Sequence, residues 1–151
     1  MWKTTDWSVG IGNATFGMKE SEKEGRPARD GKIYATMGMM VEIREYRESD
    51  GRSPFGEWRG GLDVPARQRV TTAVLRIGLG NFSNVKGVGG GIFEYRISFG
   101  PGYRVYFGKD GEEIVILLGG GTKKRQENDI QIAIRRWEDY KQRKQHSKAG
   151  E

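Results

Sequence analysis

The 151-residue chain contains no cysteine and a single histidine, His146, which sits in a polar C-terminal stretch. Without cysteine there is no disulfide framework, no thiolate metal ligand and no thiol nucleophile. With one histidine, a serine–histidine–aspartate triad, a histidine general base and a histidine metal site are all poorly supported. Catalysis would therefore fall to Lys, Arg, Tyr, Asp or Glu, and no metal or cofactor is expected. Long apolar runs are missing too. None approaches the length of a bilayer span, and the first residues, MWKTTDWSVGIGNATFGMKE, lack the basic-then-apolar order of a secretory signal. A cytoplasmic protein without membrane contact is the expectation.

What the chain does have is positive charge, with 26 Lys and Arg against 20 Asp and Glu for a net +6. That balance favours polyanionic partners, although charge alone is equally compatible with a basic protein that has none. The length and an apolar content of 35% suffice for one modest core. Residues 1–38 show neither helical nor strand period, and SEKEGRPARDGK within them is strongly polar. They read as a disordered extension or as a mis-called stretch ahead of a start at Met39 or Met40. The folded domain is expected over 39–144, with 145–151 a polar tail.

Within the domain, Val41, Ile43 and Glu45 alternate with Glu42, Arg44 and Tyr46 at strand period. Ser53 followed by Pro54 is the N-cap and first-turn pair of a short helix ending near Gly60 and Gly61. Asp63 and Pro65 open a second helix, with Val70, Val74, Leu75 and Ile77 on its apolar side and Arg67, Arg69 and Arg76 towards solvent. The stretch NFSNVKGVGGG reads as a loop. In IFEYRISF, Phe93, Tyr95, Ile97 and Phe99 face one way and Ile92, Glu94, Arg96 and Ser98 the other. Beyond the Gly-Pro-Gly turn, Tyr103, Val105 and Phe107 share one face, and Arg104 and Tyr106 the opposite one. IVILLGG has the continuous apolar run of a strand covered on both faces. Ile130, Ala133, Ile134, Trp137 and Tyr140 form the stripe of a last helix. The order β-α-α-β-β-β-α describes an α+β fold, a small antiparallel sheet with helices packed on one side.

Three segments in this order, EIREYRESDGRSPFGEW, NVKGVGGGIFEYRISFGPGYRVYFGKDG and ILLGGGTKKRQENDIQIA, resemble the RelE/ParE superfamily of toxins, in particular the HigB-like addiction module killer proteins. The colinear likeness runs from about Met40 to Tyr140, with departures at Gly87 and Thr122. It implies a compact RelE-like fold and the toxin of a type II toxin–antitoxin system. RelE-type members are ribosome-dependent mRNA endoribonucleases, and ParE-type members inhibit DNA gyrase. The implied partners are the ribosome with its mRNA and a protein antitoxin, a helix-turn-helix protein from the adjacent gene. A degenerate toxin that only binds its antitoxin is a further alternative.

RNA can be cut without a metal when the 2′-hydroxyl attacks the adjacent phosphate, provided that cations hold the charge of the transition state. Arg96 and Arg104, on like-facing positions of adjacent strands, have the forked geometry for phosphate oxygens. Lys123 aligns with a lysine of the family motif, and either Lys123 or Lys86 is a candidate acid or base. Tyr106 shares the arginine face and is a candidate for base stacking or proton transfer. Arg96, Arg104, Lys123 and Tyr106 are thus the candidate catalytic residues, and Lys86, Lys124 and Gln126 the candidate RNA contacts. The plainer reading pairs Arg96 with Glu94 or Glu45 on a solvated face.

Overall fold

In the computed structural model, residues 40–150 are described, so the expectations for 1–38 and for a start at Met39 lie outside them. Strand β1 is Glu42–Glu45, followed by helices α1 (Pro54–Gly60) and α2 (Val64–Gly78). Strands β2 (Val85–Gly89), β3 (Ile92–Ile97), β4 (Tyr103–Asp110) and β5 (Ile114–Thr122) come next. A single 3-10 turn, Lys123–Arg125, leads into helix α3, Gln126–Ala149. The fold is α+β, with a five-stranded sheet in the order β1-β5-β4-β3-β2.

Three features differ from the sequence reading. The loop expected before Ile92 contains strand β2, whose small and glycine-rich sequence carries no alternating apolar pattern. The sheet is mixed, because β1 runs parallel to β5 while the other neighbours are antiparallel. And helices cover both faces. Alternation along β5 shows why: Val115 and Leu117 join the core under α1 and α2, while Ile116 and Leu118 join the core under α3. The covered central strand inferred from IVILLGG is therefore present, and each face recruits its own helical layer. The stripe on α3 packs as expected, but the helix continues through the expected polar tail to Ala149.

The helix starts follow the local chemistry. Ser53 Oγ accepts from Gly56 N at 2.9 Å and donates to Glu45 Oε1 at 2.5 Å, which ties the N-terminus of α1 to β1. Asp63 caps α2 by accepting from Ala66 N at 3.0 Å. Both caps satisfy backbone donors that a helix's first turn leaves open.

Helix α3 is clamped along its length. Tyr46 Oη donates to Asp139 Oδ2 at 2.7 Å, and Arg143 Nη1 donates to the Arg47 carbonyl at 2.8 Å. On the other side Tyr140 Oη and Lys144 Nζ both donate to Asp110 at 2.6 Å. The Trp137 ring lies flat on Gly108, where a Cβ would fall 2.5 Å from its Cε3. The β2–β3 turn needs glycine for two reasons: Gly90 has φ +64°, and a Cβ there would meet Ile134 at 2.7 Å.

Two predictions follow from this packing. Gly108→Ala should lower unfolding stability by about 2 kcal/mol, since Trp137 has no room to yield without losing its seat. Denaturant unfolding of the variant against the parent measures it. Burial alone would raise the Asp110 carboxyl, but the hydrogen bonds from Lys144 and Tyr140 outweigh it and hold the carboxyl below its ordinary range. A lowered folded pKa contributes stability above the unfolded value of about 4 and loses it as pH falls further. Asp110→Asn should therefore cost about 1 kcal/mol at pH 7, after allowance for the exposure of Lys144. That difference should shrink towards zero in melts at about pH 3.

Candidate functional site

Register places Arg96 of β3 opposite Arg104 of β4, and Arg104 opposite Gly121 of β5. Directly opposed residues share a sheet face, so the two arginines do point the same way. Their surroundings separate them. The Arg104 side chain is 8% exposed, its Nη1 donates to the Gly102 carbonyl at 2.9 Å, and its Nε lies 3.4 Å from Glu94 Oε2 without hydrogen-bond geometry. The Arg96 side chain is 47% exposed, and its Nε donates to Glu94 Oε1 at 3.1 Å.

Glu94 is the hub of this cluster. It has no solvent exposure, and its second oxygen accepts from Gln126 Nε2 of α3 at 2.6 Å. A buried carboxylate is tolerable only when cations and donors meet it, and here two arginines and an amide do so. The pairing of Arg96 with Glu94 was open to sequence reasoning, but the convergence of Arg104 and Gln126 on the same carboxylate was not.

Several candidates consequently stand elsewhere than expected. Arg104 is buried and committed to Glu94 and Gly102, so it is not a free phosphate fork. Tyr106 is 1% exposed inside the α3-side core, and its hydroxyl lacks a well-formed hydrogen bond. Burial, with Glu94 and Asp129 nearby, pushes its phenol well above the ordinary range and keeps it protonated. Helix α3 covers the face on which a base was expected to stack. Gln126 holds Glu94 and is not free for RNA. Lys123 and Lys124 are exposed in the 3-10 turn, where Lys123 N donates to the Gly102 carbonyl at 2.8 Å, two strands across the sheet from Arg96.

A groove of about 540 Å³ lies between α2 and the β2–β3 edge, on the face of Tyr95 and Ile97, whereas the Arg96 side chain projects from the opposite face with Glu94 and Gln126. Arg69, Thr72 and Arg76 of α2 line it with the chain from Ser83 to Lys86 and from Tyr95 to Ser98, and by register Lys86 and Arg96 turn their side chains to the other face, beside Glu94. No carboxylate lines it. Among the described residues Arg69, Arg76 and Lys86 form no ion pair, although the Arg69 guanidinium lies 4.5 Å above the Phe99 ring. Lys86 faces Glu94 across the β2–β3 ladder, one step along from Arg96. Arg69 and Arg76 thus give this groove its charge, while Arg96 and Lys86 stand together on the other face of the sheet, where two neighbouring cations suit phosphates. Arg69 and Arg76 were read only as solvated helix residues. Their spacing of two turns, with Thr72 between them, puts them on one stripe, and that was the available signal.

Among the described residues, no helix is long and apolar enough to cross a membrane. No family model matches the chain. A protein of Haemophilus influenzae, described as an uncharacterized protein, is 41% identical over 80 residues, a stretch that covers 52% of this chain and 81% of the relative. With that identity over most of the relative's length, the chain belongs to the same family as this uncharacterized Haemophilus protein.

Proposed function

We propose that the chain binds RNA through Arg96 and Lys86 on the α3-side face of the β2–β3 ladder and is the toxin of a type II toxin–antitoxin system, a ribosome-dependent, metal-independent mRNA endoribonuclease acting in the cytoplasm. The observation that carries this reading is the pair of exposed cations, Arg96 and Lys86, that stand side by side on the α3-side face of the β2–β3 ladder. The toxin class rests on the resemblance to the RelE/ParE superfamily, and the antitoxin is the implied partner from the adjacent gene. There Arg96 is the cation that would hold the phosphate as negative charge grows on its oxygens. Lys86, one ladder step away, is the side chain placed to exchange a proton with the attacking 2′-hydroxyl.

Burial of Arg104 and Tyr106 favours a second reading, in which a toxin with so few free catalytic groups binds without cutting, as a ParE-like inhibitor of DNA gyrase does. Ribosome cleavage and gyrase supercoiling assays on the purified chain separate the two.

Arg96→Ala should reduce cleavage of ribosome-bound mRNA by about a hundredfold, the usual loss when one charge-stabilising donor is removed. Its melting temperature should stay near that of the parent, because Glu94 keeps Arg104 and Gln126. Arg96→Lys should recover only part of the activity, since a point charge does not reproduce a planar fork. Cleavage by Arg96→Ala at the parental rate would remove Arg96 from the site.

A further inference from the structure

We propose that Glu94 is a positioning residue that sets the Arg96 guanidinium as a two-pronged clamp for a phosphodiester on the α3-side face of the β2–β3 ladder, an inference that rests on the RNA-binding reading above. The bond from Arg96 to Glu94 uses Nε, at 3.1 Å from Oε1. Among the described residues neither Nη group of Arg96 has a protein partner, so the end-on pair of donors is left for a ligand. That pair matches two oxygens of one phosphate.

Glu94 is itself immobilised. It is fully buried in β3, its Oε2 accepts from Gln126 Nε2 at 2.6 Å, and Arg104 Nε stands 3.4 Å away. The anchor therefore belongs to the packed interior although the side chain that it directs is half exposed. A free surface arginine samples many rotamers and loses that freedom on binding; one held at Nε has already lost most of it.

Charge alone gives Glu94 the opposite role. A carboxylate beside a phosphate site repels the ligand, so replacing it with a neutral group should tighten RNA binding if electrostatics were all that mattered. Positioning and charge thus make predictions of opposite sign.

The test is the affinity of the full-length chain for a labelled single-stranded RNA of mixed sequence, with parent, Glu94→Gln, Arg96→Ala and the double variant, and a thermal melt of each. Glu94→Gln should bind about tenfold more weakly despite its extra positive charge, the scale of a lost charge-assisted hydrogen bond. In the Arg96→Ala background the same change should not weaken binding. Equal or tighter binding by Glu94→Gln, or the same loss in both backgrounds, overturns the inference. Should the melts show that Glu94→Gln does not fold, Gln126→Ala replaces it, since it keeps the net charge and both arginine pairs. It should weaken binding by about threefold only while Arg96 is present, and parental affinity overturns the inference. A parent that does not bind RNA overturns the RNA reading and this inference with it. A parent that binds, with Glu94 variants unchanged, overturns this inference alone.

Discussion

The β4–β5 pair is buried on both faces, and the rest of the structure is arranged around that constraint. A strand covered on one side can alternate apolar and polar residues, whereas one covered on both must find packing or a partner for every side chain. On the α1–α2 side β4 and β5 present Val105, Phe107, Val115 and Leu117, which need only shape. On the α3 side, β4 presents Tyr106 and Arg104 under a helix, and the guanidinium needs a counter-charge.

That need links the core to the exposed guanidinium of Arg96. Arg104 draws a carboxylate from the neighbouring strand, Glu94, and Glu94 in turn draws Gln126 from the helix above and Arg96 from its own strand. Breaking a buried ion pair from one side is costly because the other charge is stranded, so the cluster resists piecemeal change. Only its outermost member reaches solvent.

Much of this was legible in the sequence and some was not. Period-two alternation placed Arg96 and Arg104 on one face, the Ser53–Pro54 and Asp63–Pro65 pairs marked two helix starts, and Ile130 to Tyr140 marked the third helix. Alternation reports which residues share a face, but it does not report what covers that face. Hence Tyr106 and Arg104 were expected at the surface and lie beneath α3. Strand β2 was missed because VKGVG offers the ladder its backbone and little side-chain pattern. The parallel pairing of β1 with β5 leaves no local trace, since it depends on where the chain returns. Arg69 and Arg76 looked like solvated charge until the β3 edge supplied the opposite wall of a groove.

The parallel pair also bears on how the molecule is made. Glu42 registers with Ile114, so the first strand of the described fold can pair only after nearly everything between them has been synthesised. Contacts so distant along the chain are slow to form, because loop closure costs entropy before pairing repays it. The meander from β2 to β5 is local and can assemble with β5 as a temporary edge, apolar on both sides. Until β1 docks, that edge is the surface on which a nascent chain would most readily pair with a neighbour.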